Sequence, residues 1–107
     1  MLVAGKPKLG FLGAHSHVAL FRKRSAGITE HEVAGEVLVL DVDSGQIHQL
    51  NVTATYVWRK CDEVESREEL AAAFAAKFSI EYKQALHDVS ETVATLQQLN
   101  LVTPGSN

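Results

Sequence analysis

The sequence predicts an α+β fold in which a three-stranded antiparallel sheet is followed by three helices. Three observations carry the prediction. Between Ile28 and Leu50, short β-rich runs are separated by two turn signals, Ala34-Gly35 and Asp43-Ser44-Gly45. From Asn51 onward, apolar residues recur every three or four positions, the spacing of an amphipathic helix. The chain has 107 residues, 46% hydrophobic and 21% charged, which suits one domain whose core needs no disulfide or metal.

Ile28–Val33 reads as a strand of modest apolar content. Ala34-Gly35 serves as a two-residue turn, since glycine readily takes positive φ. Residues 36–42 (EVLVLDV) form the strongest strand, almost continuously apolar, as a strand covered on both faces would be. Asp43-Ser44-Gly45 turns the chain, and Gln46–Leu50 follows as a third strand. Short turns favour an antiparallel meander, with the middle strand central and the outer two at the edges. Asn51 is a good N-cap for a helix running to about Cys61, with Ala54, Val57, Trp58 and Cys61 as its apolar stripe. Residues 62–65 break the pattern. Ser66 and Glu69 make a capping box that opens a second helix, Arg67–Phe78, with Leu70, Phe74 and Phe78, or Ala71 and Ala75, buried. A third helix is expected from Ser79 or Ile80 to about Leu99. Leu101 and Val102 close the core, and Pro104-Gly105 ends the fold. A hairpin with three helices is also the content of a winged helix-turn-helix, so the predicted architecture is winged-helix-like.

The formal charge of −3 is unevenly spread. Residues 1–29 carry Lys6, Lys8, Arg22, Lys23 and Arg24 with no acid, hence +5; the remaining residues carry five bases and thirteen acids, hence −8. An acidic body repels phosphate backbones, so nucleic acid is a disfavoured partner. Residues 1–27 are rich in Gly, Lys and His without a sustained period, and read as a basic flexible segment with a short strand near residues 18–21. The recognition domain is expected at residues 28–102. The single Cys61 forbids an internal disulfide and fits a reducing cytosol. No apolar run spans a bilayer and the start lacks a secretory signal pattern, so a cytoplasmic protein without membrane contact is expected.

Tests for chemistry come out negative. His15-Ser16-His17 is a weak metal signal with no thiol or acidic neighbour, and no metal or cofactor is expected. His31, His48 and His87 fall on separate elements, and His48 reads as a hydrogen-bonded structural histidine. Cys61 lies on an apolar stripe and reads as a packed small hydrophobe. Glu36, Asp41 and Asp43 stand at a strand end and turn, where turn chemistry is the better reading. No phosphate-binding, nucleophile-elbow or zinc-protease motif is present. With nothing that joins a nucleophile, a base and an oxyanion site, the chain is not expected to be an enzyme.

The third strand is unusual. Natural edges are defended by Lys, Pro or inward charge, and Gln46–Leu50 has none of these. If it is an edge, the backbone of Gln46, Ile47, His48, Gln49 and Leu50 can accept another strand. The apolar side of that site would be Ile47 with Leu86, Val89, Val93 and Leu96 of the last helix, and Lys83 and Gln97 would form its rim. The alternative is that the helical stripe is wholly core.

The ordered set Asp41, Gly45, Leu50-Asn51, Thr53-Ala54, Trp58, Ser66 with Glu69-Leu70, Asp88-Val89, Leu96 and Leu99 resembles the PqqD family, over about residues 28–102. The resemblance implies a peptide-recognition element of winged-helix type: a non-catalytic adaptor or chaperone that binds the leader of a ribosomally made precursor peptide. The leader would add beside the third strand and rest on the third helix, for presentation to a modifying enzyme such as a radical-SAM protein, as in quinone-cofactor synthesis. Two other readings stay open. One is a winged-helix nucleic-acid binder using the basic segment; the other is a structural module that dimerises through its edge strand.

Overall fold

A computed structural model describes residues 19–105. The elements are β1 (Phe21–Lys23), β2 (Ile28–Val33), β3 (Glu36–Asp41), β4 (Gln46–Leu50), α1 (Val52–Lys60), α2 (Arg67–Phe78), α3 (Tyr82–Gln98) and β5 (Val102–Pro104). β2, β3 and β4 form the expected antiparallel sheet with β3 in the middle, and β1 and β5 pair as a second, two-stranded sheet. The result is a winged-helix-like α+β domain.

Turn chemistry sets the sheet's register. Val33 pairs with Glu36 across Ala34 (φ 54°) and Gly35 (φ 82°), a two-residue turn whose twist matches that of the strands it joins. The second turn closes when Gly45, at φ 75°, donates its N–H to the Asp41 carbonyl at 2.8 Å. The Asp41 carboxylate also accepts from the N–H groups of Asp43 (3.1 Å) and Ser44 (3.3 Å), so this acid does the turn work read from the sequence.

β3 departs from expectation in one respect. Val37 and Val39 are buried in the core and Asp41, on the same face, is buried beside Arg24, whereas Leu38 and Leu40 are half-buried on the other face. The strand is continuous in hydrophobicity but alternates in burial, because an antiparallel meander packs only one face on the helices.

The helices follow their local signals. Asn51 caps α1, its Oδ1 accepting the Ala54 N–H at 2.9 Å. Ser66 Oγ accepts the Glu69 N–H at 3.0 Å, and Glu69 reaches back to the Glu65 N–H at 2.9 Å. α3 begins at Tyr82 rather than at Ser79 or Ile80. Ser79 takes φ 55° and stops α2 as its left-handed C-cap, so it cannot also start the next helix. Val57, Trp58, Cys61, Leu70, Phe74, Ala85, Val89, Val93 and Leu96 meet in one core. Trp58 is fully buried, worth roughly 4–6 kcal/mol by area, and its indole N–H donates to Glu30 on β2 at 3.1 Å.

Residues 21–24, read from the sequence as flexible, are ordered against the domain, and Phe21 is part of its core. Phe21 is buried, and its N–H donates to the Cys61 carbonyl at 3.1 Å. Arg24 donates its N–H to Leu101 O at 2.8 Å. The pairing is tight enough that a Cβ on Gly105 would lie 1.7 Å from the Ala19 carbonyl oxygen, so only glycine fits there. The strand expected near residues 18–21 stands at Phe21–Lys23; Val18, His15 and His17 lie outside the described residues.

Candidate functional site

The site starts where β4 runs into α1 without a linker. Thr55, one turn into α1, is buried between strand and helix. Its Oγ1 accepts the Val37 N–H (3.0 Å) and donates to the Leu50 carbonyl (3.0 Å), so one hydroxyl bridges the end of the β3–β4 ladder. That bridge also sets the phase of the strand. Val37, Val39 and Asp41 face β4, opposite Leu50, His48 and Gln46. In an antiparallel ladder the intervening residues point their backbone groups the other way. The N–H and C=O groups of Ile47 and Gln49 therefore lie on the outer edge of β4, where no strand pairs among the described residues.

Side chains alternate with the same period. His48 and Leu50 point inward with Val37 and Val39. Ile47, 66% exposed, and Gln49 point to the uncovered face, where Gln49 Nε2 donates to Glu36 Oε1 at 2.8 Å. Beside the open edge is a groove of about 480 Å³, lined by residues 47–50 of β4, by Asn51, Thr53 and Ala54 at the start of α1, and by Thr92, Thr95, Leu96 and Leu99 of α3.

The structure thus brings together part of the site read from the sequence. Ile47, His48, Gln49, Leu50 and Leu96 share the groove. Gln46 begins the same strand, outside the groove lining. Val89 and Val93 are 0% exposed, members of the core. Leu86 packs half-buried against that core, and neither it nor Lys83 nor Gln97 lines the groove. The apolar stripe of α3 is the side of the helix that packs inward. The groove is walled by the shoulder of the same helix, where Thr92, Thr95 and Leu99 fall at spacings of three and four. Two of these are threonines, so hydrophobicity gave no signal; helical spacing combined with proximity to β4 was the only clue.

His48 also differs from expectation. Its Nε2 is sealed from solvent and has no hydrogen-bond partner among the described residues. The residue opposite on β3 is Val39, which offers no side-chain donor or acceptor.

Charge around the site is engaged within the fold. Arg24 makes a two-pronged contact with Asp41 (2.9 and 3.0 Å) and reaches Asp43 at 2.9 Å. The Arg24 guanidinium holds the Asp41 carboxyl below its usual range, against the opposing effect of burial. Lys23 stands 3.8 Å from Asp62 and 5.2 Å from the centre of the Trp58 ring. Two cations of the basic segment are thus held by acids, which counts against a phosphate-binding surface there. Burial pushes the Cys61 thiol up to about 11, which leaves it protonated and inert. Among the described residues, His87, Asp88 and Glu91 on α3 bring ligand atoms within 4.8 Å of one another, but Asp88 is half-buried and the exposed His87 and Glu91 already face each other at 3.5 Å. No helix among the described residues is long and apolar enough to cross a membrane.

Fold and site together define a class: among the described residues, a small winged-helix-like domain with a vacant sheet edge, a groove between that edge and the last helix, and no assembled catalytic constellation. The chain belongs to the PqqD family. The family model described as "Coenzyme PQQ synthesis protein D (PqqD)" matches residues 36–102, more than half of the chain. Two solved structures are similar. One is "Lasso peptide synthetase B1 complexed with the leader peptide", 26% identical, with a TM-score of 0.70 over 80% of this chain and 100% of that one. The other, "TbiB1 in Complex with the TbiA(beta) Leader Peptide", is 20% identical with a TM-score of 0.67 over the same shares, and shows the fold. No curated protein matches the chain.

Proposed function

We propose that this chain is a leader-peptide-binding adaptor: it takes the leader of a ribosomally made precursor as an added strand on β4 and presents the precursor to a separate modifying enzyme, such as a radical-SAM protein. The observation that carries the reading is the edge of β4, which no other described strand covers. Ile47 and Gln49 offer two N–H and two C=O groups to a guest backbone, and the edge lacks the charge or proline that blocks such pairing. Alternate guest side chains point into the groove beside α3. Membership in the PqqD family supports this, as do the two similar proteins solved with leader peptides. In this reading the chain performs no chemistry; its contribution is to raise the local concentration of precursor at the enzyme.

The test is binding of a labelled candidate leader peptide, drawn from short reading frames sought near this chain's gene, followed by fluorescence anisotropy, with the wild type and Gln49→Pro. The proline removes an N–H that no ladder bond uses, so the fold should survive. The guest loses one backbone bond and leaves a carbonyl unpaired, at about 1–3 kcal/mol, or about 5- to 150-fold in Kd. Unchanged affinity in a folded Gln49→Pro protein would sink the proposal. Concentration-dependent sedimentation abolished by the same substitution would instead favour an edge-to-edge dimer.

A further inference from the structure

A second hollow, of about 550 Å³, lies on the other flank of α1, between α1, the end of α2 and the β2–β3 turn. Its rim carries Arg59, Lys60 and Lys77, with Glu63 as the one acid lining it. Residues 30–107 hold thirteen acids and only five bases, Arg59, Lys60, Arg67, Lys77 and Lys83. Three of those five line this one hollow, in a body that is otherwise strongly acidic. Its aromatic side is formed by Tyr56 and Phe78, ring centroids 5.6 Å apart and nearly perpendicular, backed by Phe74 at 4.7 Å from Phe78.

The cations are available for exchange. Arg59 is paired with Glu32, and Lys60 is 3.3 Å from Glu63, but all four side chains are at least 40% exposed. Exposed pairs of this kind contribute little, so an incoming carboxylate can replace the resident one at small cost. Lys77, in the last turn of α2, has no ion pair or hydrogen bond among the described residues. Lys60 also lies 5.9 Å from the centre of the Tyr56 ring, which places charge directly beside the aromatic surface.

We propose that this hollow docks an acidic peptide segment of a partner protein, with carboxylates meeting Arg59, Lys60 and Lys77 and an apolar or aromatic residue resting on Tyr56 and Phe78. Charge complementarity argues for the occupant: a short acidic segment meets three cations against the exchangeable Glu32 and Glu63, whereas a long polyanion would also meet the acids of the rest of the body. The site shares no lining residue with the groove beside β4. An adaptor that holds a guest on one flank of α1 has here a separate surface for a second protein, and the proposal stands whether or not β4 accepts a leader.

The test uses the full chain and a fluorescein-labelled octapeptide, Asp-Glu-Phe-Glu-Asp-Leu-Glu-Asp, against the same peptide with every acid replaced by its amide. Amide NMR should locate binding at residues 52–60 and 75–79. Affinity should fall about tenfold for each of Lys60→Glu and Lys77→Glu, be unmoved by Lys83→Glu, and weaken about tenfold as salt rises from roughly 50 to 500 mM. Lys77→Gln, a milder change, should fall part of the way, and thermal melts confirm that each variant folds. Equal binding of the amide peptide, or an equal loss in Lys83→Glu, would overturn the proposal. So would shifts confined to β4 and α3, or self-association of this chain that Lys77→Glu abolishes, since a second copy would then be the occupant. Precursor binding, measured in parallel, should be unchanged by Lys77→Glu, which keeps failure of this site distinct from failure of the strand edge.

Discussion

Replacing Thr55 with valine tests how the open edge is held in place. The side chain is 3% exposed, and its hydroxyl satisfies the Val37 N–H and the Leu50 carbonyl at 3.0 Å each. Valine keeps the shape and removes both bonds. Each buried backbone group left without a partner costs about 1–3 kcal/mol, and the extra buried methyl returns part of the loss, so a net destabilisation of about 2–4 kcal/mol is expected. That is a large fraction of the roughly 5–15 kcal/mol that holds a domain of this size. Urea unfolding should show a lowered midpoint at unchanged slope. Hydrogen exchange should locate the loss at the Val37 amide, and Thr55→Ser, which keeps the hydroxyl, should retain that protection. A Thr55→Val protein within about 0.5 kcal/mol of wild type, with Val37 still protected, would refute the reasoning. It would mean that strand and strand close directly on each other and that the hydroxyl is no bridge.

Three further outcomes follow from the same geometry. Asp41, whose folded carboxyl titrates below its ordinary value, stabilises the domain fully above the unfolded value of about 4, and that contribution is lost as pH falls through the lower folded value. Urea midpoints measured from neutral pH down to about pH 2 should therefore drop on the acid side, and Asp41→Asn should remove part of that slope. His48→Leu replaces a sealed nitrogen, unpartnered among the described residues, with an apolar side chain, so the thermal midpoint of the free domain should hold or rise. A loss above about 1 kcal/mol would show that the imidazole has a bond partner after all. Cys61, fully buried and with its thiol pushed up to about 11, should resist a thiol reagent at pH 8 and react only as fast as the domain opens.

Several parts of the fold were legible because they depend on neighbours in the chain. Ala34-Gly35 and Gly45 adopt the positive φ their turns require. Asn51 and Ser66 cap the helices they precede. The five-residue edge without charge was visible in Gln46–Leu50, and among the described residues it is an edge. The groove beside it was less legible. The stripe Val89, Val93, Leu96 is a real periodic signal, yet it marks the core, and of that set only Leu96 extends to the groove. Thr92 and Thr95 carry no hydrophobic signal, and they line it.

Local grammar thus determined the three-stranded sheet, the three helices, their order, their turns and the undefended strand, since caps, turns and hydrophobic period act within a few residues. The tertiary structure decided what depends on residues far apart in sequence. It brought β1 from the basic segment against β5, with Phe21 in the core. It left His48 facing Val39 with its Nε2 unpartnered among the described residues, and it gathered Arg59, Lys60 and Lys77 from two helices around one hollow. It also chose which shoulder of α3 faces β4. Adjacent positions on a helix point about 100° apart, so the choice rests on how α3 packs against α2 and the sheet, and no local pattern encodes that rotation.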